Sequence, residues 1–265
     1  MTGLADLFRV DGQAVVVTGS GQGIGRGIAV GLAQCGADLV LNARREADLE
    51  ITAELVRRAG RRAVVVAGDI RTDGMNERLA LAAIEAFGQL DAWVNNVGGS
   101  DDKTTRLLVD TPPEVWRAQL ELNLTSAFLG CQTAAAHLRD GGCIVNISSG
   151  AGMRGSPRTG PYAAAKAGLL NLTQTLALEL APRLRVNAVS PGQVPTEAFR
   201  EVLGADEARF AELAAATPLA RLGTPEDIAA AVVYLISPAA SWITGENLLV
   251  AGGRRERGGG TARYG

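Results

Sequence analysis

The chain has 265 residues, 47% hydrophobic and 20% charged, with a formal net charge of −2. Such a balance gives no general attraction to nucleic acid or to an anionic membrane surface, and no run approaches the ~20 apolar residues that span a bilayer. Size and composition suit one soluble α/β domain, with no internal repeat and no second domain.

The first residues, Met1 to Asp6, lack the basic-then-apolar order of a secretory signal. Cys35, Cys131 and Cys143 are too widely spaced for a disulfide framework or a zinc site, and they read as small core hydrophobes. Together these point to a reducing cytoplasm. His137, the only histidine, stands near a helix end and suits a cap or a surface role. Hydrolytic triads and histidine-based metal sites are poor fits, and no metal is expected.

The first strand is Ala14-Val15-Val16-Val17, a β-branched run of the kind buried on both faces of a sheet. It passes through Thr18-Gly19-Ser20-Gly21-Gln22-Gly23-Ile24-Gly25 into a helical pattern. Glycines at a strand-to-helix turn let the backbone approach a pyrophosphate, which the helix N-terminus attracts. The second strand, Leu39 to Asn42, ends in Ala43-Arg44-Arg45-Glu46. NAD-selective sites place an acid at this strand end; guanidinium groups suit a 2′-phosphate instead. The competing account is a solvated basic pair opening a helix, against which stands the poor fit of cations to a helix N-terminus.

Val64 to Ala67 reads as the third strand, ending in Gly68-Asp69-Ile70, with Asp69 either an acceptor for an adenine amino group or an ordinary N-cap. The fourth, Leu90 to Val94, leads to Asn95-Asn96-Val97-Gly98-Gly99, where asparagine stabilises a turn and glycine admits a ligand. Glu114 to Leu138 reads as one long helix carrying Asn123 among leucines, as a structural amide or as part of a proton route.

Cys143 to Ile147 is a further buried strand; it runs to Ser149, then through a loop rich in Gly and Pro to a helix that Pro161 opens and that continues to about Leu180. On that helix Tyr162 and Lys166 are four residues apart and face the same way. An ammonium beside a phenol favours the phenolate, so Lys166 is expected to lower the Tyr162 pKa toward working pH. Such a phenol trades a proton with a carbonyl or alcohol oxygen, and Ser149 donates a hydrogen bond to the same oxygen.

Arg185 to Val189 forms the next strand and leads to Ser190-Pro191-Gly192-Gln193-Val194-Pro195-Thr196. From there to about Pro218 the chain reads as Ala-rich helix with few large apolar anchors, a candidate lid over residues 192–218. Thr224 and Pro225 start a helix as N-cap and first residue, and Asn247 to Val250 is the last strand. The basic tail, 254–265, holds four arginines and four glycines and cannot bury enough surface to order by itself.

Taken jointly, the Thr18–Gly25 turn, Asn95-Asn96-Val97-Gly98, Ser149, Tyr162 with Lys166, and Pro191-Gly192 resemble the short-chain dehydrogenase/reductase family from about residue 8 to 253. Within it the chain looks most like 3-oxoacyl-carrier-protein reductases and 7α-hydroxysteroid dehydrogenases, the latter most clearly over Ser237 to Gly245. The resemblance implies a single Rossmann-type, doubly wound domain over residues 1–253, with a seven-stranded parallel sheet and helices on both faces.

It also implies an NADP(H)-dependent oxidoreductase acting on a small-molecule carbonyl or secondary alcohol, assembled as a homotetramer. Tyr162 would be the general acid/base, Lys166 would hold the nicotinamide ribose, Ser149 the substrate oxygen, and Asn123 a water relaying protons. The cofactor set would be Gly19, Ser20, Gln22, Gly23, Ile24, Gly25, Arg44, Arg45, Asp69, Ile70, Asn96, Val97, Gly98, Tyr162, Lys166, Pro191, Gly192, Val194 and Thr196. Of these, Gly19, Gly23 and Gly25 would take the pyrophosphate and Asp69 the adenine, while Val189, Pro191 and Thr196 would meet the nicotinamide.

Substrate would meet Ser149, Tyr162 and Gln193, in a pocket lined by Asp101, Asp102, Lys103, Met153, Arg154 and the segment 196–216. Val97 replaces the family's usual alanine, and the tail is longer and more basic than in many relatives. Two other readings are a nucleotide-sensing module without chemistry and a methyltransferase on a similar sheet. Retention of Asn123, Ser149, Tyr162 and Lys166 argues against the first; Ala43-Arg44, in place of an acid, argues against the second.

Overall fold

The computed structural model describes residues 3–99, 106–197, 199–200 and 206–253. Asp101, Asp102, Lys103, part of the 196–216 segment and the 254–265 tail lie outside the described residues. Seven strands form one parallel sheet: β1 Ala14–Thr18, β2 Asp38–Ala43, β3 Ala63–Ala67, β4 Ala92–Asn95, β5 Cys143–Ile147, β6 Arg185–Pro191 and β7 Asn247–Val250. Their order across the sheet is β3-β2-β1-β4-β5-β6-β7, and every pairing is parallel.

Parallel strands covered on both faces are apolar along their whole length. The pleat then splits each run between two cores. Val15, Val17, Leu39 and Leu41 pack with Ile28 and Leu32 of α1 Gly23–Gln34, with Leu49 and Val56 of α2 Glu46–Arg58, and with Ile228 and Val232 of the last helix. Val16, Val40, Trp93, Ile144 and Val186 point the other way. They meet Leu79 and Ala83 of α3 Met75–Phe87, and Cys131 and Ala134 of α5 Ser126–His137.

The long helix expected over 114–138 is interrupted. It runs as α4 Pro113–Leu120, a π-helical turn Glu121–Thr125, and α5. A π turn widens the helix by one residue and re-aims its side chains, and Asn123 sits inside it, fully buried. The following helix, α6 Gly160–Leu180, carries Pro161 in its first turn and buries Ala163, Ala165, Lys166, Leu169, Thr173 and Ala177.

Beyond β6, residues 192–196 are irregular, residues 197, 199 and 200 are helical, and α7 Glu207–Ala215 follows. Its few apolar anchors are Phe210 and Leu213, both buried, with Phe199 stacked on Phe210 at a ring-centroid distance of 6.1 Å. The last helix, α8 Pro225–Ile236, opens with Thr224 as N-cap in a capping box. Its Oγ1 accepts from Asp227 N at 3.3 Å, and Asp227 Oδ2 accepts from Thr224 N at 2.8 Å. Cys131 and Cys143 are buried and Cys35 is partly so. Among the described residues, no helix is long and apolar enough to cross a membrane.

The chain order reverses between β1 and β4, where connections leave to opposite sides of the sheet. In an open parallel sheet a crevice forms there, outside the carboxyl ends of the strands, and ligands bind in it.

Candidate active site

The first wall of that crevice is the β1–α1 turn. Gly19 has φ +66°, a left-handed conformation that a residue without a side chain adopts at no cost. Asn96, just past β4, clasps this turn: its Nδ2 donates to the carbonyls of Thr18 (3.0 Å) and Gly19 (3.1 Å), and its N–H donates to Thr18 Oγ1 at 3.0 Å. A Cβ on Gly19 would lie 2.9 Å from Asn96 Nδ2, and one on Gly25 would overlap the Gly19 carbonyl. The backbone is therefore bare where a pyrophosphate would approach, and the first N–H groups of α1 have no partner within the helix. Thr196 folds over this turn, its Cγ2 3.0 Å from where a Gly23 side chain would begin. These residues fit a dinucleotide.

Ser20 and Ile70, expected at the cofactor, are turned into the fold. Ser20 is fully buried, its N–H donating to Asn42 O at 2.9 Å and its Oγ accepting from Asn42 N at 3.1 Å. Ile70 belongs to the core beneath α3. Val97 packs against the same core, with Cγ2 3.2 Å from a Gly19 Cβ position. Val194 is buried, and Gly192 lies against Ala251 at the end of β7 and donates its N–H to Val250 O at 2.9 Å.

At the β2 end the two arginines separate. Arg45 becomes the N-cap of α2, donating to Gln22 Oε1 at 3.0 Å and pairing with Asp48 at 2.5 Å. Arg44 is exposed and, among the described residues, has no hydrogen-bond or ion-pair partner. Asp69 is neither an N-cap nor a free acceptor: Arg71 binds it through Nε (3.0 Å) and Nη2 (2.6 Å). That hydrogen-bonded pairing, with Arg44 nearby, holds its carboxyl at about 2.

The second wall carries the reactive groups. Ser149, two residues past the end of β5, has its Oγ accepting from Ala151 N at 3.2 Å, and it stands near enough to the Tyr162 phenol to favour its ionised form. Lys166 is 2% exposed and donates through Nζ to Ile147 O at 2.8 Å. Asn123 Oδ1 accepts from Gly99 N at 2.9 Å, and its Nδ2 donates to Gly99 O (2.9 Å) and Gln119 O (3.0 Å). Gly98 separates the two: a Cβ there would stand 2.8 Å from Lys166 Nζ and 2.9 Å from Asn123 Oδ1.

The expected acidification of Tyr162 by Lys166 does not hold in this geometry. Nζ lies over the ring, 5.8 Å from its centroid, drawn instead to the carbonyl of Ile147. Burial raises the Tyr162 pKa above its ordinary value, and only the nearby Ser149 opposes this. Burial also lowers Lys166 to about 8. Two hydroxyls thus converge beside a buried amine, a set able to hold an oxygen and protonate it.

A family model described as enoyl-(acyl carrier protein) reductase matches residues 19–255. An uncharacterised oxidoreductase of Mycobacterium tuberculosis is 42% identical over 94% of this chain and 95% of its own length. A 3-oxoacyl-[acyl-carrier-protein] reductase of Synechocystis is 37% identical, covering 91% of this chain and 96% of that protein. Among solved structures, a 7α-hydroxysteroid dehydrogenase complexed with NADH and 7-oxoglycochenodeoxycholic acid superposes with a TM-score of 0.88 at 33% identity, covering 95% of this chain and 97% of that one. The chain belongs to the short-chain dehydrogenase/reductase family.

As a short-chain dehydrogenase/reductase, it is an oxidoreductase whose crevice takes a nicotinamide dinucleotide. Sequence reasoning places Tyr162, Lys166, Ser149 and Asn123 on the walls of that crevice, and the structure gathers them there. It does not reach Ser148, whose Oγ donates to Lys166 O at 2.9 Å, or the buried amides Asn95 and Asn146, which join at 2.9 Å. The available signal for Asn146 is a polar side chain inside an otherwise apolar strand, which must find a buried partner. Gln193 stands beside the crevice, and its Oε1 is buried without a partner among the described residues.

Proposed function

We propose that the chain is an NADP(H)-dependent reductase of carbonyls, working in reverse as a secondary-alcohol dehydrogenase, on 3-oxoacyl-, steroid- or sugar-like substrates. The observation that carries this reading is the placing of Ser149 and Tyr162 at the carboxyl edge of the sheet with buried Lys166 behind them, its Nζ 5.8 Å from the Tyr162 ring centroid and tied to Ile147 O. The bound dinucleotide supplies or accepts the hydride. Its pyrophosphate would lie along Gly19, Gln22, Gly23, Ile24 and Gly25, its adenosine near Asn96 and Asp69, and its nicotinamide end near Pro191 and Thr196.

Ser149 and Tyr162 then hold the carbonyl oxygen between two hydroxyls. Since burial keeps the Tyr162 phenol protonated at neutral pH, the residue is ready as the acid that protonates the developing alkoxide. The proton is replaced from the side of Lys166 and Asn123, which flank Gly98. The oxidative direction needs the phenolate and so gains as pH rises.

Support for NADP(H) comes from Arg44, exposed and unpaired among the described residues, while Arg71 neutralises Asp69. The NADH held by the related hydroxysteroid dehydrogenase favours NAD(H) as the second reading. We place the protein in the cytoplasm as a homotetramer; an apolar groove along α5 and α6, with Leu124, Phe128 and Leu172 in its wall, supports assembly. The segment 192–218 would cover the substrate. The test is Tyr162→Phe: cofactor binding stays nearly intact and turnover of a ketone with NADPH falls at least ~10²-fold. Near-normal turnover rejects the assignment and favours a nucleotide-sensing module.

A further inference from the structure

We propose that Asn146 and Thr173 are positioning residues that set where α6 stands along the sheet, and with it Tyr162 and Lys166. The proposal rests on the reading of Tyr162 as the acid/base given above. The buried apolar residues of α6 are mostly small, Ala163, Ala165 and Ala177 beside Leu169, with Leu176 and Leu180 only partly buried against the core. Apolar packing of small groups leaves neighbouring arrangements close in energy, and detailed complementarity is what selects one. A shift of a single residue moves a helix by ~1.5 Å and turns it by ~100°. Directional polar contacts can select the one that packing alone leaves close to its neighbours.

A directed chain of hydrogen bonds does so. Trp93 Nε1 donates to Asn95 Oδ1 at 2.8 Å, Asn95 Nδ2 to Asn146 Oδ1 at 2.9 Å, and Asn146 Nδ2 to Thr173 Oγ1 at 3.0 Å. Thr173 Oγ1 then donates to Leu169 O at 2.8 Å, on the same helix. No member is more than 4% exposed. Because Asn146 Oδ1 is occupied from the β4 side, its amide N–H can only face α6, so the order of donors leaves one orientation. A second tie lies two helical turns away: Ser148 Oγ donates to Lys166 O at 2.9 Å, and Lys166 Nζ to Ile147 O at 2.8 Å. Pinned at points ~10 Å apart, α6 can neither slide nor roll. The reach is direct, since Asn146 stands on the strand that ends in Ser149 and Thr173 lies on the face that carries Lys166.

The test compares Thr173→Val, near-isosteric but without the hydroxyl, with Thr173→Ser, which keeps it. Both are read in the NADPH-loaded protein by steady-state kinetics with a cyclic ketone that the unaltered protein reduces. They are read again, without substrate, by alkaline difference absorbance of Tyr162 against Tyr162→Phe, practicable because the chain has three tyrosines. Val56→Ala, which removes two buried methyl groups from α2, controls for general destabilisation.

The expected result for Thr173→Val is a kcat lower by ~10-fold or more, the scale of a small misplacement of reacting groups. KM and the NADPH Kd should stay within about twofold, and the Tyr162 titration midpoint should move. Thr173→Ser restores all of these, and Val56→Ala alters none. Wild-type kcat and titration in Thr173→Val, failure of Thr173→Ser to rescue, or the same loss in Val56→Ala overturns the proposal. Should Thr173→Val not accumulate as folded protein, Thr173→Ala is read by the same outcomes. A Tyr162→Phe protein that turns over normally refutes the reading of the site; a silenced Tyr162→Phe beside a normal Thr173→Val refutes only the role of the chain.

Discussion

Gly98→Ala puts one methyl group into the space between two of the groups assigned to proton transfer. The new Cβ would lie 2.8 Å from Lys166 Nζ, 2.9 Å from Asn123 Oδ1 and 3.4 Å from Lys166 Cε. Ordinary contact begins at ~3.5 Å, so about 0.6–0.7 Å of overlap must be relieved. Asn123, in the π turn, cannot give way easily, because its amide is bonded on both sides, to Gly99 and to Gln119 of α4. Lys166 Nζ is the freer partner, and moving it back weakens its bond to Ile147 O, now 2.8 Å. A displacement of this size near a reacting centre costs up to ~10²-fold, while overpacking costs the fold ~1–3 kcal/mol. With NADPH and a ketone substrate, kcat should fall ~10- to 10²-fold, and NADPH affinity should change much less. A kcat within twofold of wild type would show that the gap at Gly98 has no part in the chemistry.

Two further outcomes are expected. Arg44→Ala should weaken NADPH far more than NADH, measured by fluorescence titration of both; unchanged affinities would mean that this arginine is only solvated surface. Lys166→Met should abolish turnover yet stabilise the unliganded fold at pH 7. Burial has lowered the ammonium from 10.5 to about 8, so the charged form is penalised in the folded state by ~1–3 kcal/mol. Stability of the native protein should therefore rise with pH from about 8 toward 10.5, and the gap between the two proteins should close over the same range. Thermal melts at pH 7 and pH 9 check the sign; a larger gap at pH 9 contradicts it.

The strands were legible because two-sided burial demands unbroken apolar, β-branched runs, as at Val15–Val17 and Leu39–Leu41. Their ends were less so, since Pro191 and Thr18 join the sheet through register with neighbours that no local pattern encodes. Tyr162 and Lys166 were legible from helical spacing, whereas the direction of their pKa shifts was not: it follows from burial and from the carbonyl of Ile147, both products of tertiary packing. Asp69 reads from sequence as an adenine acceptor or an N-cap, and its ion pair with Arg71, only two residues away, is the feature that reading misses. Nor does any periodicity announce the π turn, because Glu121 to Thr125 has ordinary helical composition.

The end of β7 matters to anyone who extends this polypeptide. Ala251 rests on Gly192, and the Cβ position of Gly252 presses on Thr217, whose neighbour Leu219 donates its N–H to Gly252 O at 3.1 Å. The last described turn is thus tied to Thr217 and Leu219, at the foot of the segment proposed to cover the substrate. The opposite terminus leaves near Phe8, which stacks on Tyr234 of α8 with centroids 6.0 Å apart. Affinity handles and fusion partners belong on that first end, where their drag is carried by a core helix rather than by the segment proposed to cover the substrate.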